Sequence, residues 1–198
     1  MLSVIAAGLV ALTSLFLLIV KDWRINLGIL AIQYTGVVVL VGMEWPITLA
    51  ITQLIAGWIA IALLGMAILS LSETTNSHPL FYDPRQALSP LFYILVAIFV
   101  GLAATSTAPS LSNWIPGIEI QQVWGGLILI GLGALRLGFT SYPLSVTCGL
   151  LTVVSGFEVL CASMDSSPFT MGLFAVMTLG LALAGSYLFV APQLEEKE

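Results

Sequence analysis

Seven apolar stretches, each long enough to cross a bilayer, follow one another along this chain with only short polar breaks between them. A hydrocarbon core about 30 Å thick takes roughly 20 mostly apolar residues per helical crossing. One small globule could not hide that much apolar surface, because 59% of the 198 residues are hydrophobic and 8% charged, against roughly 25% charged in an ordinary soluble domain. The fold class is therefore all-α, a polytopic membrane protein of about seven transmembrane helices. The pattern predicts them at 2–20, 25–43, 47–71, 90–107, 122–139, 144–164 and 170–191. Lys21-Asp22-Trp23-Arg24, Glu44-Trp45-Pro46, Ser141-Tyr142-Pro143 and Asp165-Ser166-Ser167-Pro168 separate successive helices, since a proline beside polar residues stops one helix and opens the next.

These spans group into an N-terminal three-helix unit, 1–71, a linking region with helix four, 72–121, a second three-helix unit, 122–191, and an acidic tail, 192–198, expected to fray. Each unit starts outside and ends in the cytoplasm, so the chain reads as a parallel repeat with helix four inserted. The first run has no basic residue before it and Lys21 and Arg24 after it, which marks a retained helix with its N-terminus outside rather than a secretory signal. All five basic residues, Lys21, Arg24, Arg85, Arg136 and Lys197, fall on the side this topology makes cytoplasmic. Glu44, Glu119 and Asp165 fall on the other, with Trp45, Trp114 and Trp124 expected at the interface. A net charge of −5 with no basic cluster argues against nucleic acid and anionic lipid headgroups as partners. Cys148 and Cys161, 13 residues apart in one run, lie too far apart along a helix to bridge.

Glu158 is the acid placed well inside a span, in Ser155-Gly156-Phe157-Glu158-Val159-Leu160-Cys161-Ala162, about six residues or roughly 9 Å from the expected outer end. An ionised carboxylate there costs at least ~2.5–3.5 kcal/mol. Protonation, a polar cavity or a neighbouring cation would each lower the cost, and each also describes a place through which protons pass. A structural account is equally open, with the acid bonded to Ser155 or a backbone carbonyl, or hydrated near the surface. Gln33, Tyr34 and Thr35 form a polar group in helix two, and Thr48, Thr52 and Gln53 another in helix three; such residues serve as packing glue or line a hydrated path. Gly180 with Ala184 and Ala182 with Ser186 predict close packing of helix seven. The one histidine, His78, and Asp83 sit in a loop. No metal-ligand cluster, phosphate loop or nucleophile with its base is legible, so no metal or other cofactor is expected.

The order of residues also resembles a family. Leu127 to Val190 is similar to the small three-helix K-type subunit of respiratory complex I and the C subunit of Mrp-type cation/proton antiporters, whose middle helix carries a glutamate followed by Asn-Ala. Here Ser155-Gly156-Phe157-Glu158-Val159-Leu160-Cys161-Ala162 keeps the glutamate and the alanine, with cysteine for asparagine. A second glutamate, typical of the third helix, is missing from Leu179-Gly180-Leu181-Ala182-Leu183-Ala184-Gly185, where Ala182 stands nearest its place. Leu12-Thr13-Ser14-Leu15-Phe16, Val20-Lys21, Arg24, Gly28 and Gln33 resemble the longer component E of hydrogenase-4 complexes. The resemblance implies a membrane-arm subunit beside larger antiporter-like subunits, in a prokaryotic plasma (inner) membrane or an internal photosynthetic one. Glu158 would be its proton relay and Gln33, Tyr34, Gln53 and Ser155 a polar path, with no catalytic centre of its own. Two alternatives remain: a structural or assembly subunit without transport, and a small self-contained transporter.

Overall fold

Inside hydrocarbon a backbone amide has no water to bond, so an apolar stretch satisfies itself as a helix. The computed structural model describes residues 1–20, 22–74, 90–114, 117–140, 142–165 and 167–195. Its helices are α1 Leu2–Ile19, α2 Trp23–Val41, α3 Ile47–Thr74, α4 Pro90–Trp114, α5 Ile120–Phe139, α6 Pro143–Ala162 and α7 Pro168–Glu195. All seven are long and apolar enough to cross a membrane. No strand occurs among the described residues.

Three helices outrun their expected ends, α3 by three residues to Thr74. α4 continues past residue 107 to Trp114, straight through Pro109. Serine and threonine side chains bonding back to the carbonyls of the preceding turn, as Thr105 does to Leu102 O and Thr107 to Ala103 O, help a membrane helix carry a proline. α7 runs on through Pro192 to Glu195, so most of the stretch expected to fray is helical. Lys21, His78, Asp83, Arg85 and Lys197 lie outside the described residues.

Short connections make sequential helices antiparallel neighbours. Six of them form two rows, α1-α2-α3 and α5-α6-α7, laid face to face so that α1 packs on α5, α2 on α6 and α3 on α7. Each facing pair runs in the same direction: Ala7 lies by Gly125 near the start of α1 and α5, and Arg136 reaches Leu17 near their ends. The end of the bundle where α1, α3, α5 and α7 finish is called the lower end below. α4 stands on the flank, against α5 and lightly against α1. Burial follows this plan, with 61% of the α6 span buried but 17% of α4.

Two apolar clusters fill the space between the rows. The upper one gathers Val10, Val37, Leu40, Leu129 and Val159, and the lower one Leu17, Leu30, Leu64, Ile68 and Leu151. The closest backbone approach is between α5 and α6, where glycines spaced seven apart on both helices oppose each other, Gly126 to Gly156 and Gly133 to Gly149. A Cβ on Gly156 would stand 2.8 Å from Gly126 O, and one on Gly133 3.0 Å from Gly149 O. The small residues of α7 do less than expected. Ala182 is buried, but Ala184 is exposed and Gly180 has nothing within 4 Å of a Cβ.

At the upper end the Trp45 indole donates to Asp165 O at 3.2 Å, tying the α2–α3 corner to the α6–α7 corner. Trp45 is thus buried in protein; Trp114 is exposed and Trp124 half-buried. Asp165 caps the start of α7, accepting from the Ser167 backbone amide and hydroxyl at 2.9 Å each and from the Thr170 hydroxyl. These bonds to the charged form, Thr170 foremost, hold the Asp165 carboxyl below the usual carboxylate range.

Candidate functional site

Along α6, Ser145, Cys148, Thr152, Ser155 and Glu158 recur at intervals of three and four residues, so one face of the helix carries a small-polar stripe. All five are buried, because α6 is the middle helix of its row and turns that face toward the other row and α7. The stripe does not require partners from elsewhere until Glu158. Thr152 donates to Cys148 O at 2.8 Å and Ser155 to Leu151 O at 2.9 Å, each within its own helix. A carboxyl has no such local donor, so it must look across to a neighbour.

Glu158 is fully buried, and its partner is Gln53 of α3, whose Nε2 donates to Oε2 at 3.0 Å. Ser155, one of the partners open to it in sequence, donates within its own helix instead, and the complete burial of the side chain sets it apart from the bundle surface. Beside the carboxyl stand Tyr34 of α2 and, through the tyrosine hydroxyl, Ser155 and Thr178 of α7. Four helices therefore converge on this acid. The Tyr34 ring fits there because residue 57 is glycine, where a Cβ would come within 2.5–2.7 Å of ring atoms.

The cluster is under-bonded. Glu158 Oε1, Gln53 Oε1, the Tyr34 hydroxyl and Thr178 Oγ1 are buried without a well-directed hydrogen-bond partner. Each such atom costs about 1–3 kcal/mol if it stays alone, and interior polar atoms of this kind bind ordered water or act in chemistry. No cation is beside Glu158 among the described residues; its hydrogen-bond partner is the neutral Gln53 amide. A carboxyl so placed can bind and release a proton while the amide holds one of its oxygens in a fixed direction.

The sequence-expected polar residues divide. Gln53, Tyr34 and Ser155 come together around Glu158, whereas Thr35, Thr48 and Thr52 face outward, Thr35 and Thr52 bonding within their own helices. Gln33 is fully buried with both ends of its amide unpartnered. It lies a turn from Gly36 and Val37, on the α2 face where Gly36 meets Leu9 and Val10 of α1, and no hydrogen bond joins it to Glu158.

Three further polar residues matter to the interior. Thr178 was hidden in the sequence as one hydroxyl among several in the apolar α7, with no polar residue within a turn of it. Gln122 completes a capping box with Glu119 at the head of α5 and donates to Leu40 O at 3.2 Å and to Glu44 at 3.3 Å, stitching the rows at the upper end. Arg136, a lone cation in the last turn of α5, does not lie on the surface but is buried, with Nε donating to Ser145 O at 3.1 Å and Nη1 to Leu17 O. It thereby satisfies a last-turn carbonyl of α1 that no helical amide can reach. No three His, Cys, Asp or Glu side chains gather into a metal site among the described residues. No protein-family model, curated protein or solved structure matches this chain.

Proposed function

We propose that this chain is a membrane subunit of a multisubunit proton- or cation-translocating complex, of the complex I, Mrp antiporter or group 4 hydrogenase type, in which Glu158 takes up protons and passes them on. The observation that carries this is the burial of that one carboxyl among four helices, with one oxygen held by Gln53 and the other unpartnered. Intramembrane acids are costly and are retained where they do work. Tyr34, Gln53 and Ser155 form its immediate surroundings, and Gln33 is a separate polar waypoint between α2 and α1. Larger antiporter-like subunits would supply the remaining charged groups of a lateral chain, since this chain offers a single interior acid in its described spans. The N-terminus lies outside on this proposal, because Arg24 and Arg136 mark the lower end as cytoplasmic and Glu44, Glu119 and Asp165 the upper end as external.

One observation favours a second function, that of a structural or assembly subunit. Glu158 has a neutral amide rather than a cation for a partner, and a lone neutral pair of this kind also serves as interhelical glue. Glu158→Gln separates the two, because an amide keeps the size and hydrogen-bonding reach of the side chain but carries no exchangeable acid. Membrane vesicles bearing the complex, isolated through a tag on this chain, should assemble normally with the variant and lose proton uptake measured with a pH-sensitive dye. Undiminished pumping by the assembled variant leaves the structural role alone.

A further inference from the structure

Because α4 leans on α5 and barely meets α1, a crevice runs between the three helices. Its middle encloses about 240 Å³ and is lined by apolar side chains, among them Leu15 of α1, Ala97 and Gly101 of α4, and Leu132 of α5. Leu12 and Ile98, on its rim, are 57% and 55% exposed, so the crevice opens sideways toward the acyl chains of a bilayer. Steps of three or four residues carry the same three helix faces downward, from Leu15 to Leu18, Ala97 to Tyr93 and Leu132 to Arg136. There a second hollow of about 20 Å³ is lined by Arg136 together with Leu18 and Tyr93, with room for about one oxygen-sized group.

Arg136 is 6% exposed, and the acceptors it meets are the neutral carbonyls of Leu17 and Ser145. Among the described residues no carboxylate forms an ion pair with it. A buried cation that lacks a counter-charge is costly. We propose that the crevice between α1, α4 and α5 holds an acyl chain of an anionic phospholipid whose phosphodiester oxygen meets Arg136. At roughly 30 Å³ for a water-sized group, the upper hollow of about 240 Å³ has room for about eight methylene-sized groups, a length of acyl chain. An acyl chain is solvated as well by neighbouring lipids as by this crevice, so selection comes from the headgroup. Guanidinium bonds to phosphate are charge-assisted, and a zwitterionic lipid brings its own cation to compete.

The test is native mass spectrometry of the full chain, purified in mild detergent and exchanged into mixed micelles with equal phosphatidylglycerol and phosphatidylcholine. The wild type should retain one phosphatidylglycerol in preference to phosphatidylcholine by about tenfold, equivalent to ~1.4 kcal/mol. Gly101→Leu places a side chain where nothing lies within 4 Å of a Cβ, so it fills the crevice without disturbing the helices. That variant should keep the wild-type circular dichroism spectrum and lose the retained lipid. Arg136→Gln should keep lipid binding but lose the preference. Equal retention of the two lipids by the wild type, or phosphatidylglycerol held as well by Gly101→Leu as by the wild type, overturns the proposal; should Arg136→Gln fail to fold, the Gly101 variant still decides.

Discussion

Glu158 and Gln53 depend on each other in unequal ways. Removing the amide leaves a buried carboxyl oxygen without its donor, whereas Glu158→Gln leaves an amide opposite an amide, which can still bond. Gln53→Leu should therefore destabilise the protein by about 1–3 kcal/mol, read as a lower midpoint of thermal unfolding in detergent, and Glu158→Gln by less. Asp165 makes a prediction outside the spans. Its carboxyl is held below the ordinary range by Thr170 and Ser167, so the capping of α7 is fully present above the unfolded carboxylate value and is lost as pH falls through the lower folded value. Hydrogen exchange in the first turn of α7 should stay slow at neutral pH and quicken only under strongly acid conditions; Asp165→Asn should show the quick exchange at neutral pH and little further change on acidification. Of these residues Glu158 is legible in the sequence because an acid in a hydrophobic run violates the pattern around it. Its partner is not, because the choice between Ser155 on the same helix and Gln53, 105 residues away, is made by which helix faces which, and no local rule encodes that.

Among elements, the α5–α6 pair is the one whose contact surface is set by absent side chains. Gly133→Val or Gly156→Val would drive a Cβ against a backbone carbonyl of the other helix, which cannot move aside as a side chain can. Overpacking of this kind costs about 1–3 kcal/mol, and the expected result is lower yield and a lower unfolding midpoint for either variant. Gly180→Ala in α7, with nothing within 4 Å of its Cβ, should be neutral or stabilise by up to ~1 kcal/mol through helix propensity. The contrast checks that the tight contact belongs to α5 and α6. Spans are readable because hydropathy acts on about twenty residues at once, and punctuation such as Tyr142-Pro143 marks starts to within a residue or two. Tightness is not readable from small residues alone: Gly180 with Ala184 and Gly126 with Gly133 look alike in sequence, and only the second pair meets another backbone. The end of α4 escaped for a similar reason, since Pro109 and the surrounding hydroxyls read as a loop until those hydroxyls bond to their own helix.

In the whole molecule the two rows are related as one layer laid on another, each helix of the first beside its counterpart in the second. A two-fold axis along the bundle would instead have set α1 against α7. Ala7→Cys with Gly125→Cys tests the difference. A Cβ at 125 stands 3.8 Å from the Ala7 Cβ, the mean separation across a disulfide. With Cys148 and Cys161 replaced by serine, the double variant should cross-link on mild oxidation, and proteolysis between α4 and α5 should then give fragments that separate only after reduction. Free fragments under oxidising conditions would contradict the layered arrangement. Three helices carry the chain to the lower end of the bundle, and a fourth brings it back. α4 is that return stroke. By restoring the direction in which α1 set out, it allows a second trio to be laid down the same way up as the first, with Arg136 arriving where α1 ends and Glu158 at the height of Gln53. A chain without α4 would thread α5, α6 and α7 upside down, and the acid and its amide would be stranded at opposite ends of the bundle.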